Sequence, residues 1–192
     1  MTKIYLDGET LSTNEISLVA SGALVEIASN SIIKINSARD VIDRILESGQ
    51  TVYGINTGFG SLVSESISES DLSQLQLNLI RSHACAVGQK MSKLETRAMM
   101  CVRANSLVKG NSGIQLKVIK QIIDYLNHDI IPVVPRIGSL GASGDLAPLS
   151  HMALSLIGEG DVWTENGDMP THTILKEKGL IPVKLGAKDG LS

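Results

Sequence analysis

The sequence predicts a mainly α-helical chain with a small β-containing lobe at its N-terminus, and three observations carry that prediction. Three strongly periodic apolar segments follow one another, at 71–87, 93–108 and 114–126, separated by Gly88 and by Lys109-Gly110-Asn111-Ser112-Gly113. Strand-like pieces, in contrast, are short and few: two near the N-terminus and a hairpin after Val162. Apolar residues make up 43% of the 192 positions and charged ones 19%, enough apolar mass to close a core around such helices.

In order along the chain, IYLDGE at 4–9 reads as a strand, a helix starts at Thr13 or Asn14 where Ser, Thr and Asn supply caps, and ALVEIA at 23–28 reads as a second strand. Val41, Ile42, Ile45 and Leu46 recur at helical spacing over Ser37 to Glu47, and Ser48-Gly49 supplies the stop. Tyr53 to Gly60, YGINTGFG, holds three glycines and reads as a shaped loop. In the first periodic segment Leu72, Leu75, Leu79 and His83 share one stripe, which puts a histidine on an apolar face. IIPVVP at 130–135 is extended, because each proline disfavours helix at the residue before it. It delivers the chain to GSLGASGDLAPLSHMALSLIGEG, a loop entering a helix. From Val162 to Gly190 a hairpin with Asn166-Gly167 as its turn precedes a short helix and a loop. The reading divides the chain into 1–60, the mixed lobe with the tyrosine loop; 61–160, the helical part; and 161–192, hairpin and short helix, cut off after it.

Composition excludes several classes of function. Seventeen basic against twenty acidic side chains leave a net charge of −3, with no broad cationic surface for nucleic acid. Cys85 and Cys101 are too few for a disulfide framework, lie in stretches that read as helices and lack metal-ligand spacing, which fits a reducing cytoplasm. Charges at Lys3, Asp7 and Glu9 argue against a secretory signal. The uncharged apolar stretch Leu146 to Gly158 contains Pro148 and His151, the longer uncharged run Ser48 to Ser64 is rich in glycine and serine, and both fall short of the ~20 apolar residues a membrane span needs. Only five aromatic side chains are present, two of them, Tyr53 and Phe59, in the glycine-rich loop.

Chemistry concentrates at 138–145, GSLGASGD, where three glycines and an alanine surround the hydroxyl of Ser143, ahead of an uncharged helix. Two readings compete. In one, the segment is a tight turn with Ser143 or Asp145 as helix N-cap. In the other, the Gly144 nitrogen, unhindered by any Cβ, attacks the Ala142 carbonyl, Ser143 supplies a leaving hydroxyl, and loss of two waters gives a five-membered ring bearing an exocyclic methylene. A helix N-terminus would favour negative charge developing there. A nucleophile elbow is excluded because position 145 is Asp, and a dinucleotide fingerprint because position 63 is Val.

Three separated motifs, YGINTGFG (53–60), LIRSHACAVG (79–88) and GSLGASGDLAPLSHMAL (138–154), resemble in register the N-terminal part of the histidine ammonia-lyases, within the aromatic amino acid ammonia-lyase family. The resemblance implies an aspartase/fumarase-like helical fold, incomplete over this length, and the prosthetic group 4-methylidene-imidazol-5-one (MIO) formed autocatalytically from Ala142, Ser143 and Gly144. It further implies a catalytic base at Tyr53, substrate-binding positions at Ser82, His83 and Gly60, and no metal or diffusible cofactor. The activity implied is conversion of L-histidine to urocanate and ammonia, in histidine catabolism in the cytoplasm, by a homotetramer. Ser82-His83 argues against a tyrosine or phenylalanine lyase or aminomutase. As a 192-residue chain alone, an inactive, self-associating piece with an uncyclised Ala142-Ser143-Gly144 is expected, since further site residues of the family follow later. Ala86 and Ser61 stand where the family has glycine and lysine. His151 reads as support behind the ring loop, His128 and His172 as surface, and Asp145 as a cap.

A tyrosine base must react as phenolate, and with its ordinary pKa near 10 it is ionised in roughly one part per thousand at pH 7. Its surroundings would therefore have to favour the anion.

Overall fold

The computed structural model describes residues 2–58, 67–138 and 146–192. Within them the order is β1 (Lys3–Leu6), α1 (Thr13–Ala20), β2 (Leu24–Ile27), α2 (Ser29–Ser48), α3 (Glu69–His83), β3 (Val87–Lys90), α4 (Lys93–Val108), α5 (Leu116–Asn127), β4 (Pro135–Ile137), α6 (Leu146–Leu156), β5 (Asp161–Thr164), β6 (Gly167–Pro170) and α7 (Thr171–Glu177). Helix dominates, and the strands form three two-stranded sheets: β1 with β2 in parallel, β3 with β4 and β5 with β6 antiparallel.

The core forms around α4 and α5, where Met100, Cys101, Ala104, Ile119, Ile122 and Leu126 are almost fully enclosed. Ile4, Leu6 and Val25 of the first sheet and Val19 of α1 close one side of it; Ile80 of α3 and Met152 and Leu156 of α6 close another. Burying a side chain of this size stabilises by about 1.5–3 kcal/mol against leaving it exposed, so these positions set the packing. Tyr125 is wholly buried among them, and its hydroxyl donates to the Ser155 carbonyl at 2.6 Å. Burial pushes the Tyr125 pKa up to about 12 and that of the Cys101 thiol up to about 11. Both α1 and α4 begin with a complete capping box, Ser12 with Glu15 and Ser92 with Glu95.

Several expectations need correction. Helix α2 starts at Ser29, eight residues before the predicted start at Ser37. Isoleucines 32, 33 and 35 weaken the local helix preference, but burial of Ser31 and Ile35 overrides it, and Ser31 Oγ donates to the Asp7 carbonyl. Its predicted stop holds, with Gly49 in the left-handed region at φ 68°. Helix α3 ends at His83, not Val87, because 87–90 leaves to pair with β4. Cys85 is therefore exposed and non-helical, whereas Cys101 is buried in α4. The buried stripe of α3 is Leu72, Gln76 and Ile80, so Leu79 and His83 are only half-buried. The hairpin turn is Glu165-Asn166, one residue earlier than expected, since Thr164 pairs with Gly167.

Candidate functional site

Helix α3 exits beside both ends of the 139–145 segment. Val87 of β3 pairs with Ile137 of β4, which brings Ala86 against Gly138. A Cβ built on Gly138 would lie 2.7 Å from the Cβ atoms of both Ala86 and Ala147, so three chain segments meet there at a separation only glycine permits. From α6, His151 Nε2 accepts the Ala86 amide N–H at 3.2 Å. That bond fixes the tautomer with the proton on Nδ1, and burial lowers the pKa of the ring. His151 thus supports the exit of α3 as well as the helix after the loop.

Ser82 and His83 occupy the last turn of α3. His83 Nδ1 lies 2.8 Å from the Leu79 carbonyl, and Ser82 Oγ lies 3.1 Å from the same ring nitrogen while donating to that carbonyl at 2.9 Å. A carbonyl can only accept, so Nδ1 carries a proton. In the neutral ring Nε2 is then an acceptor, suited to an N–H donor such as that of an imidazole. The Ser82 hydroxyl orients the ring. Immediately before them Arg81 pairs with Glu159, tying α3 to the segment leading into β5.

Tyr53 sits in a turn between α2 and α3 and is 60% exposed. The turn is anchored by Val52 and Ile55, which join Ile42, Leu72, Leu75 and Ala187 in a second, smaller apolar cluster. Its anchor is therefore at the N-terminal half of α3, and His83 lies eleven residues beyond Leu72, roughly 16 Å along the axis. A bridge exists near the C-terminus: Leu191 lies against Gly54 and also lines a cavity with Ile80, Leu146 and Leu149. The structure therefore groups Ser82 and His83 with the flanks of the loop and connects Tyr53 to them through Leu191.

Gly60, Ala142, Ser143 and Gly144 lie outside the described residues, as do Phe59, Ser61 and Asp145. The flanks of the tripeptide are compatible with the group it would form: Gly138 and Ala147, on either side of it, lie close enough that a Cβ at Gly138 would be 2.7 Å from that of Ala147. Ala86, which departs from the family's glycine, makes this junction tighter. The histidines at 128 and 172 are exposed, as expected. Among the described residues no helix is long and apolar enough to cross a membrane.

Two residues the sequence reading passed over complete the region. Gln76 is fully buried, and its Oε1 accepts the Gly190 N–H at 2.7 Å. Its position four residues from both Leu72 and Ile80 was the available signal. Asp189, in what reads as a terminal loop, is buried and accepts from Gln115 N–H (2.9 Å), Gln115 Nε2 (2.5 Å) and Gly186 N–H (2.8 Å). Burial holds its carboxyl above the usual range although these donors and Arg39 pull the other way.

A sequence model of the aromatic amino acid lyases matches residues 11–192. The chain belongs to the aromatic amino acid lyase family. It is 45% identical over 190 residues to histidine ammonia-lyase of Staphylococcus aureus (strain bovine RF122 / ET3-1), covering 98% of this chain and 38% of that protein. Among solved structures, histidine ammonia-lyase from Trypanosoma cruzi is 40% identical with a TM-score of 0.90, over 99% of this chain and 37% of its own. Ergothionase from Treponema denticola is 32% identical with a TM-score of 0.93, over 98% and 38%. A tyrosine aminomutase from Streptomyces globisporus is 37% identical with a TM-score of 0.91, over 99% and 36%. The chain thus has the helical fold of this lyase family, whose members of this kind are carbon–nitrogen lyases, and spans a little over a third of the length of its relatives.

Proposed function

We propose that the chain carries the electrophile-forming part of a histidine ammonia-lyase, which eliminates ammonia from L-histidine to give urocanate. The observation that supports this most is the Ser82-His83 pair at the exit of α3, with Nδ1 committed to Leu79 and Nε2 left as an acceptor, three residues before Ala86, which meets the loop flank at Gly138. A site built to hydrogen-bond an imidazole N–H rejects an apolar ring of similar shape, because the acceptor, covered by the bound ring, would lose its partner.

Elimination requires removal of an unactivated β-proton and departure of a poor leaving group. Ala142, Ser143 and Gly144 would form the MIO group, whose electrophilic methylene captures the substrate and makes the amine leave more readily. Tyr53 acts as the base at the β-carbon, His83 holds the substrate ring through Nε2, Ser82 orients the His83 ring, and Gly60 belongs to the substrate-binding loop. His151 keeps the α3 exit in register with α6. No metal or diffusible cofactor takes part. The remaining groups of the site come from further sequence and from partner copies in a cytoplasmic homotetramer. The 192-residue chain on its own is therefore expected to be inactive.

Intact mass tests the central step. Loss of two waters in a full-length lyase containing this chain, absent in Ser143→Ala, supports the cyclised group; an unmodified mass in the parent refutes it. Tyr53→Phe should lower kcat far more than it changes KM, and an unchanged kcat removes Tyr53 from the reaction. The similarity to a tyrosine aminomutase favours a second reading, an aromatic aminomutase. Preference for tyrosine over histidine in a substrate panel would establish it and overturn the first.

A further inference from the structure

The geometry points to the Lys188–Ser192 turn, clamped by Asp189, as the seat that positions Tyr53, with Leu191 as its contact residue. This inference rests on the assignment of Tyr53 as base. The clamp draws on three elements. The Asp189 carboxylate takes the backbone and side-chain donors of Gln115, at the start of α5, and the Gly186 N–H. From α2, Arg39 Nη1 donates to the Ala187 carbonyl at 2.9 Å and lies 3.9 Å from Asp189 Oδ1. From α3, Gln76 Oε1 takes the next amide, Gly190 N–H.

The turn is strained in a way that needs such a clamp. Lys188 is a non-glycine residue at φ 76°, in the left-handed region, and a conformation of that kind persists only where its surroundings over-determine it. The amides of Leu191 and Ser192 both return to the Lys188 carbonyl, at 3.2 and 3.0 Å, which fixes the direction in which Leu191 leaves the backbone.

Leu191 then lies over Gly54, the residue after Tyr53. A Cβ at Gly54 would be 2.7 Å from Leu191 Cδ2, so the leucine tip rests directly on the turn, and Gly54 itself has φ 76°, a conformation that favours glycine. The same leucine lines a cavity with Ile80, three residues before His83, and with Leu146 at the start of α6. Leu191 is therefore a positioning residue that registers the tyrosine turn against α3, which carries His83, and against the start of α6. A misplaced base slows proton abstraction while leaving the substrate's ring contacts in place.

The test uses a full-length lyase containing this chain, with Leu191→Ala, Leu191→Met and Asp189→Asn, each alone and with Tyr53→Phe. Leu191→Ala is expected to lower kcat tenfold or more with KM changed less than threefold, and Leu191→Met to recover most of the loss. In the Tyr53→Phe background Leu191→Ala should have almost no further effect on kcat, because its action passes through the missing hydroxyl. Amide exchange should accelerate in the segment around 52–57 in Leu191→Ala, which reads the seat without activity. Asp189→Asn should behave as Leu191→Ala; if it does not fold, the leucine pair decides. An equal loss from Leu191→Ala in both backgrounds, or unchanged exchange around 52–57, overturns the proposal even where Tyr53→Phe is slow. A Tyr53→Phe enzyme with parental kcat overturns instead the assignment of the base, and the proposal with it.

Discussion

Gly138→Ala measures how tightly the α3 exit is drawn onto the loop. Carbon atoms in contact ordinarily stand about 3.5–4.0 Å apart. The new methyl would stand 2.7 Å from the Cβ of Ala86 and of Ala147 and 3.1 Å from Ala86 Cα. None of these is the end of a flexible side chain, so backbone must move. Overpacking of this kind costs about 1–3 kcal/mol. At roughly 2–4 °C per kcal/mol for a chain of this size, the midpoint of thermal unfolding should fall by about 2–12 °C, followed by circular dichroism. Adding Ala86→Gly removes one of the two methyl clashes and leaves Ala147, so it should restore only part of the loss. A midpoint for Gly138→Ala within about 1 °C of the parent, or full recovery with Ala86→Gly, would refute the three-segment junction.

Two further outcomes follow from buried titrating groups. The pKa of Tyr125 is raised to about 12 in the folded chain, so its contribution is complete below the unfolded value near 10 and is lost as pH rises from there towards 12. Tyr125→Phe should therefore flatten the alkaline fall in stability while costing about 1–3 kcal/mol at neutral pH through the unmet Ser155 carbonyl; a denaturant series at several pH values reads both, and an unchanged alkaline slope would count against the burial argument. The pKa of His151 is lowered by burial, so its contribution is present above the unfolded value near 6.5 and is lost as pH falls through the folded one. His151→Leu should remove that acid dependence and leave the Ala86 N–H unsatisfied, at about 1–3 kcal/mol, and retention of the parental acid profile in the variant would contradict this.

The early end of α3 shows where local reading failed. Periodicity continues to Val87, yet the helix stops at His83 because Val87 to Lys90 finds a partner strand about fifty residues later, at Pro135–Ile137. The same event places Ser82 and His83 in a final turn, where their polar atoms converge on the Leu79 carbonyl. The opposite failure occurs in α2, whose isoleucine-rich first turns are poor helix by propensity and are held by the burial of Ser31 and Ile35.

The sequence by itself determined the helical character, the span of α4 at Lys93–Val108, the stop at Gly49 and the three motifs that mark the family, because each depends on residues near one another in the chain. Only the tertiary structure decided that Gln76 and Asp189 are buried, that Ala86, Gly138 and Ala147 meet at one point, and that Leu191 lies on the turn of Tyr53. Those contacts join segments from a few residues to more than a hundred apart. Their energies come from close packing and from hydrogen bonds removed from water, quantities that local periodicity and propensity do not carry.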